Sequence, residues 1–151
     1  MLRRRAASKS RRGQAAARAA EFPAMQHWTE TMIKNWLGVT AEMSAAVKEL
    51  RGGIPNVMKE FSALARAAAE PKALDTKTKE LIALAIAVAI RCESCIAFHA
   101  QSAVRQGATR EEVMETMGMA IYMGAGPAVM YAAQAIEAYG QFKDQAAVSG
   151  T

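Results

Sequence analysis

Glu80 to His99 reads ELIALAIAVAIRCESCIAFH, and the interpretation of the chain turns on this stretch. Ten apolar residues, Leu81 to Ile90, run into Arg91 and then a CxxC pair, Cys92 and Cys95, with His99 four residues after the second cysteine. The run is half the roughly 20 residues a membrane-spanning helix requires. A helix that is apolar on every face must instead be covered all round, by the domain's own helices or by partner subunits. Both cysteines of the chain and one of its two histidines fall inside these twenty residues.

Outward from this centre, the pattern predicts an all-α protein. Asp75 or Thr76 is placed to cap a central helix from about Lys77 to Arg91. Before it, Pro55 suits the first turn of a helix whose apolar positions Val57, Met58, Phe61, Leu64 and Ala65 keep helical spacing. After the cysteines, Phe98, Ala103 and Val104 continue a helical pattern that Gly107 should end. Thr109 and Glu112 have capping-box spacing for the next helix, with Val113, Met114 and Met117 expected inward. A final helix from about Pro127 to Phe142 carries Val129, Met130, Ala133, Ile136 and Tyr139. Abundant alanine and ten methionines against four phenylalanines favour closely packed helices. The methionines read as core residues, and Gly118, Gly124 and Gly126 as close helix packing and a turn; no strand precedes them and no Lys-Ser/Thr follows, so they are not a phosphate loop.

Nearer the amino terminus, Met25, Trp28, Met32, Trp36 and Leu37 recur at three- and four-residue steps, an amphipathic stripe that Gly38 is expected to interrupt. A further apolar face, Val39, Met43, Ala46, Val47 and Leu50, runs to the stop at Gly52-Gly53. His27 reads as a surface or half-buried residue. The expected organisation is a disordered basic tail over 1–21, a helical extension over 22–53, one core domain over 54–143 and a frayed end over 144–151. With 151 residues there is room for one domain with a hydrophobic core.

The formal charge of +5 belongs to the tail. Residues 1–20 hold Arg3, Arg4, Arg5, Lys9, Arg11, Arg12 and Arg18 and no acid, while the rest of the chain has twelve basic against fourteen acidic residues. A start further along at Met25 or Met32, an organelle-type transit peptide, or an arginine-rich arm for nucleic acid each accounts for that composition. A nucleic-acid partner is expected only through this tail. Two cysteines three apart are the wrong arrangement for a secreted disulfide scaffold, and no signal-peptide core follows Met1; a soluble, cytoplasmic protein with no membrane segment is expected.

CxxCxxxH carries chemistry. On a helix, residues three apart lie about 5–6 Å apart on one face, within disulfide range, so Cys92 and Cys95 can cycle between dithiol and disulfide. If a new helix begins at Cys92, both sulfurs sit among free backbone N–H groups, where the field favours thiolate. His99, one turn after Cys95, suits a general base or proton relay. The alternative is zinc: two thiolates and an imidazole are three good ligands, and a structural site needs a fourth. Glu80 cannot be tied to the cysteines by spacing, since twelve residues of straight helix span roughly 18 Å. It is either an exposed first-turn glutamate favoured by the helix dipole or a carboxylate returned to the thiols by a sharp reversal or a neighbouring subunit.

At these residues the sequence resembles the alkylhydroperoxidase AhpD-like branch of the carboxymuconolactone decarboxylase superfamily. The resemblance rests on Glu80, Cys92, Cys95 and His99 in their spacing, on DTKTKELIALAIAVA before them, and on GATREEV and GAGPAVMYAAQAIEA after them. It implies a helical bundle of about six helices without a sheet, assembled as a homo-oligomer, trimer or hexamer. It implies a thiol-dependent oxidoreductase reducing alkyl hydroperoxides, or a partner's disulfide, without a bound cofactor. Cys95 would attack peroxide, Cys92 would resolve the sulfenic acid, and His99 and Glu80 would form the proton relay. An external dithiol, possibly borne on a lipoylated protein, would reduce the pair. Peroxidase members carry a histidine immediately before the second cysteine, where this chain has Ser94, a residue that does not titrate near neutral pH.

Overall fold

Most turns of chain between helices are set by local capping devices, and one of them carries the cysteines. The computed structural model describes residues 33–150, which hold five helices and no strand. They are α1 (Trp36–Gly53), α2 (Pro55–Ala69), α3 (Thr76–Ala89), α4 (Glu93–Arg105) and α5 (Arg110–Ser149). Residues 1–32, including the basic tail, His27 and the Met25, Trp28 and Met32 stripe, lie outside the described residues.

Helix α1 begins at Trp36, within the span of the stripe. Asn35 is its N-cap and accepts a hydrogen bond from the Gly38 amide at 3.0 Å, so Gly38 belongs to the first turn and interrupts nothing. Trp36 is completely buried, with its backbone N–H donated to Gln141 Oε1 at 2.9 Å and its indole N–H to Glu137 Oε2 at 3.0 Å. The Ile33 amide also donates to Glu137 (2.6 Å), and Gln141 Nε2 donates to the Lys34 carbonyl (2.8 Å). Residues 33–36 are thus fastened to the second half of α5.

Helix α2 opens with Pro55 at its first turn and has no buried residue. Val57, Phe61 and Leu64 are all exposed and line a shallow apolar groove. Its carboxyl end is closed by Lys79 from α3, whose ammonium donates to the Ala68 and Glu70 carbonyls at 2.8 and 2.6 Å, the favourable sign of charge at a helix C-terminus.

Helix α3 starts at the Asp75 cap, whose carboxylate accepts the Thr78 amide at 2.7 Å. Leu84, Ala87 and Val88 face the core, while Ile82, Ile86 and Ile90 remain 44–64% exposed. The chain's own helices therefore cover one face of the apolar run. The helix stops in a Schellman motif: the Cys92 amide reaches back to the Ala87 carbonyl (2.9 Å), the Arg91 amide to Val88 (3.2 Å), and Arg91 takes a left-handed φ of 62°. The end of α4 repeats the device with Gly107 at φ 74°, the Ala108 amide bonding Ala103 and the Gly107 amide bonding Val104.

In α4, Ile96, Ala97, Ala100, Ala103 and Val104 form the buried stripe. Thr109 and Glu112 then make both bonds of the predicted capping box, and Lys77 of α3 pairs with Glu112 at 2.6 Å. The two helices expected beyond Gly107 run on as one element, broken at Ala125 (φ 54°, ψ −155°) just before Pro127. At Gly124 a Cβ would stand 2.7 Å from the Ala128 Cβ, and Ala89 of α3 packs against the same spot. Past the break, Ala128, Ala132, Ala135 and Ala138 form a small-residue stripe that Tyr139 and Phe142 extend. The Tyr139 hydroxyl donates to the Ala108 carbonyl at 2.7 Å, and burial pushes its pKa up.

The expectation that the methionines are core fails for most of α5. Met117 is buried as predicted with Val113, but Met114, Met119, Met123 and Met130 are exposed, as are Tyr122 and Val129. Alanines, which let α3, α4 and α5 approach closely, do the packing the larger side chains were expected to do. Of the three glycines read as packing sites, Gly124 alone has a neighbour that a side chain would meet.

Candidate redox site at the junction of α3 and α4

Cys92 ends one helix and starts the next. It is the last hydrogen-bonded residue of the motif closing α3 and the N-cap of α4, with extended backbone (φ −96°, ψ 95°). Its Sγ accepts the Cys95 amide at 3.3 Å, as a serine or aspartate oxygen does at other N-caps. Cys95, in the first turn of α4, packs on the edge of the core. The two are joined as a disulfide with Cα atoms 5.2 Å apart. Both sulfurs therefore lie where unpaired helical N–H groups and the helix dipole stabilise negative charge, the setting in which a reduced pair holds a nucleophilic thiolate.

The reversal at Arg91 lays α4 back along α3, and this brings Glu80 to His99. Glu80 Oε2 is 2.8 Å from His99 Nδ1, with side-chain exposures of 17% and 37%. A carboxylate at Nδ1 orients the ring and leaves Nε2 as the nitrogen available for proton exchange. His99 follows Cys95 by one turn, on the same side of α4. Spacing in the sequence left Glu80 with two readings; the structure places it on the histidine rather than in an exposed first turn.

Four further residues bear on this corner, and none was singled out in the sequence. Glu93, between the cysteines, is ion-paired with Lys34. Glu137 and Gln141 of α5 hold the segment from which Lys34 extends. Glu93 is visible in the motif itself, but nothing in the sequence signals a partner 59 residues away.

Zinc ligation requires both sulfurs as thiolates. Here they are bonded to each other, and among the described residues no group of three or more His, Cys, Asp or Glu side chains is arranged to hold a metal ion. No helix among them is long and apolar enough to cross a membrane.

Known proteins share the sequence and the fold of this chain. The sequence profile of the carboxymuconolactone decarboxylase family matches residues 55–138. An uncharacterized protein of Haemophilus influenzae is 44% identical over 108 residues, 72% of this chain and 96% of the relative. Uncharacterized protein 4 in the cox locus of Paracoccus denitrificans is 39% identical over 93 residues, 62% of this chain and 84% of its own. Among solved structures, an apo carboxymuconolactone decarboxylase family protein from Legionella pneumophila superposes with a TM-score of 0.70 at 50% identity, covering 72% of this chain and 96% of that one. A family member from Thermotoga maritima, for which a part in an antioxidative response has been suggested, gives 0.65 at 27% identity, over 73% and 97%.

Proposed function

This chain belongs to the carboxymuconolactone decarboxylase family, and we propose that it is a thiol-dependent oxidoreductase that reduces alkyl hydroperoxides through the Cys92/Cys95 couple. The observation that carries the reading is the hydrogen bond from His99 to Glu80 one turn beyond a disulfide at a helix N-terminus. In the reduced enzyme, His99 Nε2 takes the Cys95 proton. The thiolate attacks the terminal peroxide oxygen; an S–O bond forms, the O–O bond breaks, and the departing alkoxide takes a proton from His99 to leave as an alcohol. Glu80 holds the imidazole in the tautomer that accepts at Nε2 and stabilises the imidazolium between the two transfers. The Cys92 thiolate then attacks the Cys95 sulfenic acid, forming the disulfide and releasing hydroxide, which is protonated to water.

Two electrons and two protons must return from an external dithiol, for which a lipoylated protein is suited because its two thiols close a ring as they reduce the pair. No bound cofactor enters this cycle. The reducing pool of the cytoplasm would sustain it. The exposed rows Val57, Phe61 and Leu64 on α2 and Ile82, Ile86 and Ile90 on α3 support a homo-oligomer, since monomers seldom leave such apolar faces in water; a trimer or hexamer is what the family resemblance implies.

Reduced protein mixed with cumene hydroperoxide should lose both thiols and release one alcohol per disulfide, and Cys95→Ser should abolish turnover. Retention of both thiols at millimolar peroxide would reject the peroxidase. Ser94, in place of the histidine of peroxidase members, favours a second reading in which the same couple reduces a partner's disulfide. Thiols inert to peroxide but oxidised by a protein disulfide would select it.

A further inference from the structure

The peroxide cycle makes no use of the charge pair that stands at the cysteines. Glu93 is the first residue of α4, directly after Cys92, and its carboxylate is bound by the Lys34 ammonium. Lys34 is held with unusual care for a surface lysine. The Ile33 amide before it donates to Glu137, its own carbonyl accepts from Gln141, and Trp36 after it is wholly buried and bonded to both. Its ammonium lies 5.4 Å from the centre of the Trp36 ring. With the two side chains 30% and 43% exposed, such a pair adds little to stability. Its position, in the turn that holds the sulfurs, gives it another use.

The geometry points to Lys34 as a positioning residue that sets the reactivity and redox poise of the Cys92/Cys95 couple by holding and neutralising Glu93. The inference rests on the reading above that this dithiol cycles. A carboxylate in the first turn of α4 occupies the field that would otherwise stabilise a thiolate. Unpaired, it raises the thiol pKa values and disfavours the reduced, ionised form; paired with Lys34 it is nearly silent. The other charged groups at this corner are Glu80, Glu137 and Arg91. Glu80 is bound to His99, Glu137 accepts from Ile33 and Trp36, and Arg91 sits exposed in the turn.

This mechanism predicts shifts of opposite sign. Lys34→Met keeps the stem over Trp36 and leaves Glu93 uncompensated, so thiol pKa rises and the couple becomes more reducing. Glu93→Gln leaves the ammonium uncompensated, so thiol pKa falls and the couple becomes more oxidising. Each single change should move the thiol–thiolate equilibrium about threefold, or about half a pH unit, as befits a partly exposed charge several ångströms away.

The test is the pH dependence of iodoacetamide alkylation of the reduced full-length protein, read by mass spectrometry. Lys34→Met should shift the midpoint up, Glu93→Gln down, and the double variant should return to the wild-type value; Lys34→Arg should retain it. The single shifts should shrink in about 1 M salt, where the Debye length is about 3 Å. Shifts in the same direction for both single variants, or a double variant no closer to wild type, would overturn the inference, because loss of a merely structural contact is blind to which partner is removed. Circular dichroism melts of each variant check that it is folded. Alkylation needs no peroxide, so a protein inert to peroxide would reject the peroxidase reading and leave this test standing, whereas same-sign shifts in an active peroxidase would reject the role of Lys34 alone.

Discussion

Arg91 and Gly107 occupy the same position in the same motif, one closing α3 and the other α4, and they should respond oppositely to substitution. Both lie in the left-handed region, at φ 62° and 74°, with matching pairs of hydrogen bonds to the preceding turn. A residue with a Cβ costs about 1–2 kcal/mol there. Glycine avoids that cost but loses more backbone entropy on folding, by about 0.5–1 kcal/mol. Arg91→Gly should therefore stabilise by up to about 1 kcal/mol net, while Gly107→Ala, where a Cβ meets no neighbour but the backbone is strained, should destabilise by about 1 kcal/mol. Urea unfolding of the oxidised protein at one fixed protein concentration measures both. If Arg91→Gly instead destabilised by more than about 1 kcal/mol, the arginine side chain would be contributing contacts to the turn and the backbone account would be wrong. The outcome matters for the site because this turn carries Cys92 from one helix to the other.

Other consequences follow from single contacts. Glu80→Gln removes the carboxylate that orients His99 and should slow thiol oxidation by peroxide by about 10- to 100-fold with little change in the melting temperature, measured by stopped-flow loss of thiols. Tyr139→Phe leaves the buried Ala108 carbonyl without its donor and should cost about 1–3 kcal/mol, seen as a lower urea midpoint. Acid should loosen the α3 and α5 N-termini together. The Thr78 amide holds the Asp75 carboxyl below its usual range, and the Lys77 ammonium does the same for Glu112, whose partner Lys77 is held up in turn. A depressed carboxyl contributes stability above its unfolded value that is lost as pH falls through the folded one, so melting temperature should drop below about pH 4, and Asp75→Asn with Glu112→Gln should flatten that slope.

Much of the fold was legible because helix ends write themselves locally. Asp75, Thr109 with Glu112, Gly107 and Pro55 are short-range signals, and each marks the end it promised. A helix start at Cys92 was one possibility in the sequence, and the structure makes Cys92 the N-cap of α4. What a 3.6-residue period does not say is which neighbour covers an apolar stripe. Met119, Met123 and Met130 share the spacing of core residues yet lie outside, because alanines on the adjoining face of α5 bring the helices into contact first. Trp36 was read as part of a longer stripe, whereas the Asn35 cap starts a new helix there and turns the indole inward.

The site divides along the same line. The disulfide and the placement of His99 follow from spacings of three and four within one helix. The Glu80–His99 bond depends on the reversal at Arg91, a left-handed turn at a residue type that rarely adopts it, so no composition rule announces it. The Lys34–Glu93 pair joins residues 59 apart through the anchoring of a segment on α5, a tertiary fact with no local trace.

The most direct test of the central claim isolates the attacking thiol. Reduced Cys92→Ser protein has Cys95 and no partner to close a disulfide, so one equivalent of cumene hydroperoxide should leave Cys95 as a sulfenic acid. The adduct can be trapped with dimedone and located by mass spectrometry, and its yield should fall sharply when Glu80→Gln is added. An unmodified Cys95 thiol after exposure to excess peroxide would contradict the account.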